Sequence, residues 1–117
     1  MEDCIFCKMA AGEIPVTPVY QDDLVMAFDD ISPQSPVHTL IIPRAHHQDL
    51  GDGVPAETAA ALLAAVPIVA QAKVVAESGY RVIVNNGGDA NQSVMHLHVH
   101  VLGGKAMQHR MVKFIDE

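Results

Sequence analysis

The sequence predicts an α+β protein built on a mostly antiparallel sheet, and three observations carry that prediction. Short apolar segments rich in Val, Ile and Leu occur in residues 17–43 and again in residues 80–102. Between them, Pro55 to Glu77 switches to an Ala-rich helical composition. Finally, "HLHVHVL", residues 96–102, alternates histidine with aliphatic residues at the two-residue period of a strand.

The elements follow in order. Residues 1–14 are expected to carry a short helix after Cys4 and Cys7, ending near Gly12 and Pro15. "TPVYQ" and "LVMAFDD" form two short strands joined by a polar turn at Asp22 and Asp23. "ISPQSP", residues 31–36, is a loop, because its prolines lack ladder donors and its serines favour turns. "HTLIIP", residues 38–43, is a strand stopped by Pro43. The long helix is expected from Pro55 to Glu77, with Gly79 as its stop and Pro67 kinking or dividing it. "YRVIVN", residues 80–85, and residues 96–102 are the last strands, separated by the Gly- and amide-rich loop "NGGDANQS".

At 117 residues, without an internal repeat or composition break, the chain is expected to be a single domain over residues 1–117. Half the residues are hydrophobic and 18% are charged, which argues against disorder. Lys and Arg total 7 against 14 Asp and Glu, and a net charge of −7 argues against gripping a nucleic acid polymer. A single nucleotide remains compatible, since a local cluster of donors can hold it. The longest apolar run, residues 59–70, contains Pro67 and is too short to span a membrane. The acidic N-terminus does not resemble a signal peptide, so a cytoplasmic location is expected. Cys4 and Cys7, a lone C-x-x-C, suggest metal or redox chemistry more than a structural disulfide.

Strand alternation places His96, His98 and His100 on one face and Leu97, Val99 and Val101 on the other. One strand histidine is usually an ordinary core or surface residue. Three on one face would leave several unmet hydrogen bonds if buried without a ligand, which points to a site.

"QSVMHLHVHVLGG", residues 92–104, resembles the H-φ-H-φ-H-φ-φ signature of the histidine triad (HIT) superfamily. "AFDDISPQSPVHTLIIPRAH", residues 27–46, and "YRVIVNNGGDANQSV", residues 80–94, are similar to segments of its nucleotide-binding Hint branch. With "CIFCKMAAGEIP" the likeness covers most of residues 4–104, and the C-x-x-C matches bacterial members. The resemblance implies a five-stranded antiparallel sheet, one long helix, a short N-terminal helix and a homodimer. It also implies hydrolysis of purine nucleoside monophosphate derivatives, phosphoramidates among them, through a covalent nucleotidyl-histidine.

Carried over position by position, the resemblance makes His98 the nucleophile, with its other ring nitrogen held by a backbone carbonyl. Neutral imidazole suits that role near pH 7. His100 would donate to the phosphate or the bridging atom, supported by His38. Ser93 would assist the departing amine, and the backbone N–H groups of Ser93 and Val94, with Asn85 and Asn91, would hold the phosphate. Asp30 would accept the ribose hydroxyls, and Phe6, Met9, Phe28 and Ile31 would clamp a purine without choosing adenine or guanine.

Bacterial relatives with the C-x-x-C imply a structural zinc on Cys4, Cys7, His46 and His96. That closed set of two thiolates and two imidazoles leaves no position for a reacting water, so the chemical step needs no metal. His47, beside His46, leaves that ligand ambiguous by one position. The chain departs from the pattern at Asp29, expected to add charge near the ribose, at Asn91, where Gly is common, and at Pro67. The tail, residues 105–117, lacks the family's usual ending, with His109 and Arg110 as candidate replacements. Two other functions compete with hydrolysis: a non-enzymatic purine-nucleotide-binding or scaffold protein, and a plain zinc-binding module.

Overall fold

The computed structural model describes residues 3–109 and 114–115. The chain runs α1 (Ile5–Ala10), β1 (Tyr20–Gln21), β2 (Val25–Asp29), β3 (Val37–Pro43), α2 (Ala56–Ala72), β4 (Tyr80–Val84) and β5 (Val99–Gly103). The five strands form one sheet in the order β1-β2-β3-β5-β4, with every neighbouring pair antiparallel. This is the predicted α+β architecture.

The pleat sorts the strand residues into two faces. Val25 and Ala27 of β2, Ile41 of β3 and Val99 and Val101 of β5 pack with Leu97 against Leu62, Ala65, Val66 and Val69 of α2. Burying each Val, Leu or Ile among them stabilises the fold by about 1.5–3 kcal/mol. On the opposite face Met26, Phe28, Leu40 and Ile42 form a second, smaller cluster with Phe6 of α1. The histidines lie on this second face, against a sheet that α2 backs from behind.

Several boundaries differ from expectation. The "TPVYQ" strand shortens to Tyr20–Gln21, where Asp22 accepts from the Leu24 and Val25 N–H groups and turns the chain into β2. β5 begins at Val99, so His96 and His98 precede the regular strand. Instead of a ladder, the Leu97 N–H donates to the His47 carbonyl at 2.7 Å. The alternation nevertheless holds: Leu97, Val99 and Val101 enter the α2 core, and His98 lies against the other face with its ring edge-on to Phe6.

Pro67 does not divide α2, which continues through it from Ala56 to Ala72. Pro67 sits on an exposed side of the helix, as does Leu63 four residues earlier, whose carbonyl loses its intrahelical partner there. The helix stops at Ala72 rather than Glu77, and Gly79 is not its stop. The Val75 N–H donates to the Ala70 carbonyl and the Val74 N–H to the Gln71 carbonyl. This pair of bonds is a Schellman ending. Its left-handed position, normally Gly, is occupied by Val74 at φ 60°. The turn folds Val75 into the core beside Gly103, where a Cβ would come within 3.0 Å of the Val75 Cγ1. Only glycine leaves room for that approach.

Candidate active site and metal cluster

The three triad residues serve three different hydrogen-bond arrangements. His98, buried, donates from Nδ1 to the His96 carbonyl at 2.8 Å. A carbonyl only accepts, so in the neutral ring the hydrogen sits on Nδ1 and Nε2 carries the lone pair. The His98 and His100 rings lie 4.9 Å apart between centroids.

A chain of bonds from β3 fixes the tautomer of His100. The Gln34 backbone N–H donates to His38 Nδ1 at 3.0 Å, which makes that nitrogen an acceptor. Neutral His38 therefore carries its hydrogen on Nε2, and that nitrogen lies 2.9 Å from His100 Nδ1. His100 in turn holds its hydrogen on Nε2, a buried atom with no partner among the described residues. Burial, reinforced by His98 and His38, pushes the His100 pKa down to about 4. Near pH 7 it is a neutral donor in the ring beside that of His98.

Asp30 follows β2 at the edge of this group. Its Oδ2 lies 3.6 Å from His38 Nε2, and its Oδ1 accepts from the Ser32 N–H at 2.8 Å. Asp29 does not add charge there. Alternation turns it to the α2 face, where Thr39 Oγ1 and Lys73 Nζ donate to its carboxylate at 2.9 and 2.8 Å. Those two donors hold its pKa below the usual range despite desolvation.

The apolar positions divide. Phe6 and Phe28 are buried and meet edge-to-face with centroids 5.4 Å apart. Met9 packs beside them half-buried, whereas Ile31 is 95% exposed. Asn85 is half-buried just after β4, and Asn91 is exposed with φ 61°, a left-handed conformation that Asn tolerates better than most residues. Ser93 is exposed and Val94 half-buried beside the second core cluster. A cavity of about 360 Å³ opens at Ser93 and Val94 and extends to Cys4 and His46. His109 is exposed, and Arg110 lies outside the described residues.

Cys4, Cys7, His46 and His96 converge with all four ligand atoms within 4.8 Å of one another. His96 Nδ1 lies 3.3 Å from Cys4 Sγ and 3.5 Å from Cys7 Sγ, and His46 Nδ1 lies 3.3 Å from Cys7 Sγ. A tetrahedral zinc with ordinary Zn–S and Zn–N bonds needs such sulfur–nitrogen edges of about 3.5 Å. The His96 Nε2–H donates to the Pro43 carbonyl at 2.8 Å, which leaves Nδ1 as the lone-pair nitrogen facing the sulfurs. These residues can hold a metal ion. His47 stands outside the cluster, with its Nδ1 on the Asp52 carbonyl at 2.9 Å, so His46 and not His47 joins the group that can hold a metal.

Two contributors carried no sequence signal. Gln34 acts through its backbone N–H, which any residue but Pro could supply. Gln92 looked like one more polar loop residue, yet its side chain is buried and fully bonded.

An antiparallel sheet backed by one long helix, with histidines converging on the opposite face, defines a small α+β protein of the histidine triad class. The chain belongs to the HIT domain family, which matches residues 11–107. It is 45% identical over 109 residues to a purine nucleoside phosphoramidase of Escherichia coli strain K12, covering 91% of each chain. A HIT family hydrolase from Legionella pneumophila Philadelphia 1 superposes with a TM-score of 0.86 at 42% identity, covering 92% of this chain and 97% of that one. A histidine triad protein from Clostridium difficile gives a TM-score of 0.87 at 41% identity, covering 95% and 98%.

Proposed function

We propose that this protein is a HIT-type hydrolase of purine nucleoside phosphoramidates and related nucleotidyl compounds, acting through a covalent nucleotidyl-histidine on His98. The observation that carries this is the bond from His98 Nδ1–H to the His96 carbonyl, which makes Nε2 the lone-pair nitrogen of the neutral ring, with the His100 ring 4.9 Å away between centroids and its Nε2–H unpartnered among the described residues. The phosphoramidase name of the Escherichia coli relative supports the substrate class.

His98 Nε2 attacks phosphorus, the phosphorus–nitrogen bond to the amine breaks, and the amine leaves with a proton taken from solvent and relayed by the Ser93 hydroxyl. His100, held by His38, donates to a phosphate oxygen as charge builds there. Water then attacks phosphorus, the phosphorus–Nε2 bond breaks with its electron pair returning to His98, and a proton of the water passes to solvent, replacing the one taken up by the amine and releasing the nucleoside monophosphate. Asn85, Asn91 and the N–H groups of Ser93 and Val94 hold the phosphate. Asp30 accepts the ribose hydroxyls, and Ile31 closes over a base floored by Phe6, Phe28 and Met9.

Cys4, Cys7, His46 and His96 hold a structural zinc that supplies stability and takes no chemical step. The protein works as a cytoplasmic homodimer. Exposed Leu63 and Ile68 on α2 and Val82 and Ile83 on β4 offer apolar surface for a second copy. Among the described residues no helix is long and apolar enough to cross a membrane.

The test is amine release from adenosine 5′-phosphoramidate. His98→Ala should lower turnover on the order of 10⁴-fold or more, the scale on which removing a nucleophile acts in other hydrolases, while AMP still binds. An inactive wild type, or full activity in His98→Ala, refutes the proposal.

A further inference from the structure

The Ser93 hydroxyl makes no hydrogen bond among the described residues and is exposed, so its own contacts do not hold it in place. The residue before it is bound on every side. Gln92 Oε1 accepts from the Gly87 N–H at 2.8 Å, and the Gln92 N–H donates to the Gly87 carbonyl at 3.1 Å. This reciprocal pair closes residues 87–92 into a ring. Gln92 Nε2 spends its two hydrogens on the Gln48 carbonyl at 2.7 Å and the Val94 carbonyl at 3.0 Å.

The amide cannot be turned over. The reverse orientation would face its NH₂ against the Gly87 N–H and its oxygen against two carbonyls. Gly87 completes the ring at φ 84° and ψ 175°, a conformation open essentially to glycine. Three bonds from one buried side chain therefore hold the chain before Ser93, through Gly87 and Gln92 itself, and after it, through the Val94 carbonyl, and fasten that segment to Gln48, two residues beyond His46.

We infer that Gln92 is the positioning residue of Ser93: its buried amide sets where the Ser93 hydroxyl meets the departing group. The inference rests on the role given to Ser93 in the proposed hydrolysis. Gln92→Glu keeps an acceptor for Gly87 but sets an oxygen against the Gln48 and Val94 carbonyls. Gln92→Met keeps the side-chain length and drops all three bonds.

The experiment is a double-mutant cycle on adenosine 5′-phosphoramidate hydrolysis, with Gln92→Glu and Gln92→Met each combined with Ser93→Ala. Each Gln92 substitution should lower kcat about 10²-fold, the scale of a misplaced reacting group, with KM within about threefold. In the Ser93→Ala background the same substitutions should cost less than about threefold, because residues that act as a unit are not additive. Equal losses in both backgrounds, or no loss in either, overturn the inference. Ser93→Ala with full activity overturns it too, yet leaves the hydrolase proposal standing if His98→Ala is inactive. A wild type without turnover refutes the hydrolase proposal itself. Hydrogen exchange on the wild type needs no variant to fold: the Gly87 N–H and the Gln92 side-chain NH₂ should be protected without nucleotide. Rapid exchange at both overturns the inference.

Discussion

Acidification should destabilise this protein through His100, and its surroundings set the size of the effect. The ring is half-buried between His98 and His38, and desolvation, reinforced by those two imidazoles, holds its pKa down to about 4. In the unfolded chain an imidazole titrates near 6.5. As pH falls, the unfolded state takes up this proton first, so stability declines with it. The contribution of neutral His100 is therefore fully present above about pH 6.5, falls across the window down to 4 and is gone below it. At pH 5 the unfolded chain has passed its midpoint by about 1.5 units at roughly 1.4 kcal/mol each, or about 2 kcal/mol. Solvent reaches the half-buried ring and screens it, which reduces the expected loss to about 1 kcal/mol. His100→Gln cannot titrate and should lack this loss. Urea unfolding of both proteins at pH 7 and pH 5 provides the measurement. The stability drop between those two values should be about 1 kcal/mol smaller in the variant. An equal or larger drop in the variant would refute the claim that burial keeps His100 neutral.

Two further predictions concern stability and metal. Val74 holds a left-handed backbone while 86% exposed, so Val74→Gly gives up almost no burial and relieves strain. It should stabilise the protein by about 1 kcal/mol in denaturant unfolding. A loss of stability would mean that something covers this side chain. Cys4→Ser removes one of the four converging ligands. Elemental analysis of the purified variant should show its zinc content well below that of the wild type, with a lower Tm that a chelator does not lower further. Wild-type zinc content in Cys4→Ser would exclude Cys4 as a ligand.

Much of the fold was legible because the relevant signals are local. Alternation along residues 96–102 depends only on the two-residue pleat, and it survived even though β5 starts at Val99. The Ala-rich stretch made a helix because its composition favours one over any window of that length. Its end was not legible: a Schellman turn with Val at the left-handed position contradicts local preference. Packing of Val75 beside Gly103 offsets it. Asp29 was misjudged for a different reason. Adjacent strand residues point to opposite faces, so being next to Asp30 in sequence put it next to Lys73 in space.

The candidate site divides in the same way. The resemblance to the histidine triad family pointed to His38, His98, His100 and Ser93, and the C-x-x-C pointed to metal or redox chemistry. Strand alternation by itself grouped the three histidines on one face; the separate roles of His38, His98, His100 and Ser93 were what the family resemblance implied. The choice of His46 over His47, the tautomer of each imidazole and the grip of Gln92 on the Ser93 loop were decided only in three dimensions. Each depends on a partner far along the chain: His46 and His96 near one pair of sulfurs, Gln34 behind His38, and Gln48 across from Gln92. A sequence displays its donors and acceptors, but the folded backbone decides which of them face each other, and hydrogen bonds hold only across about 3 Å.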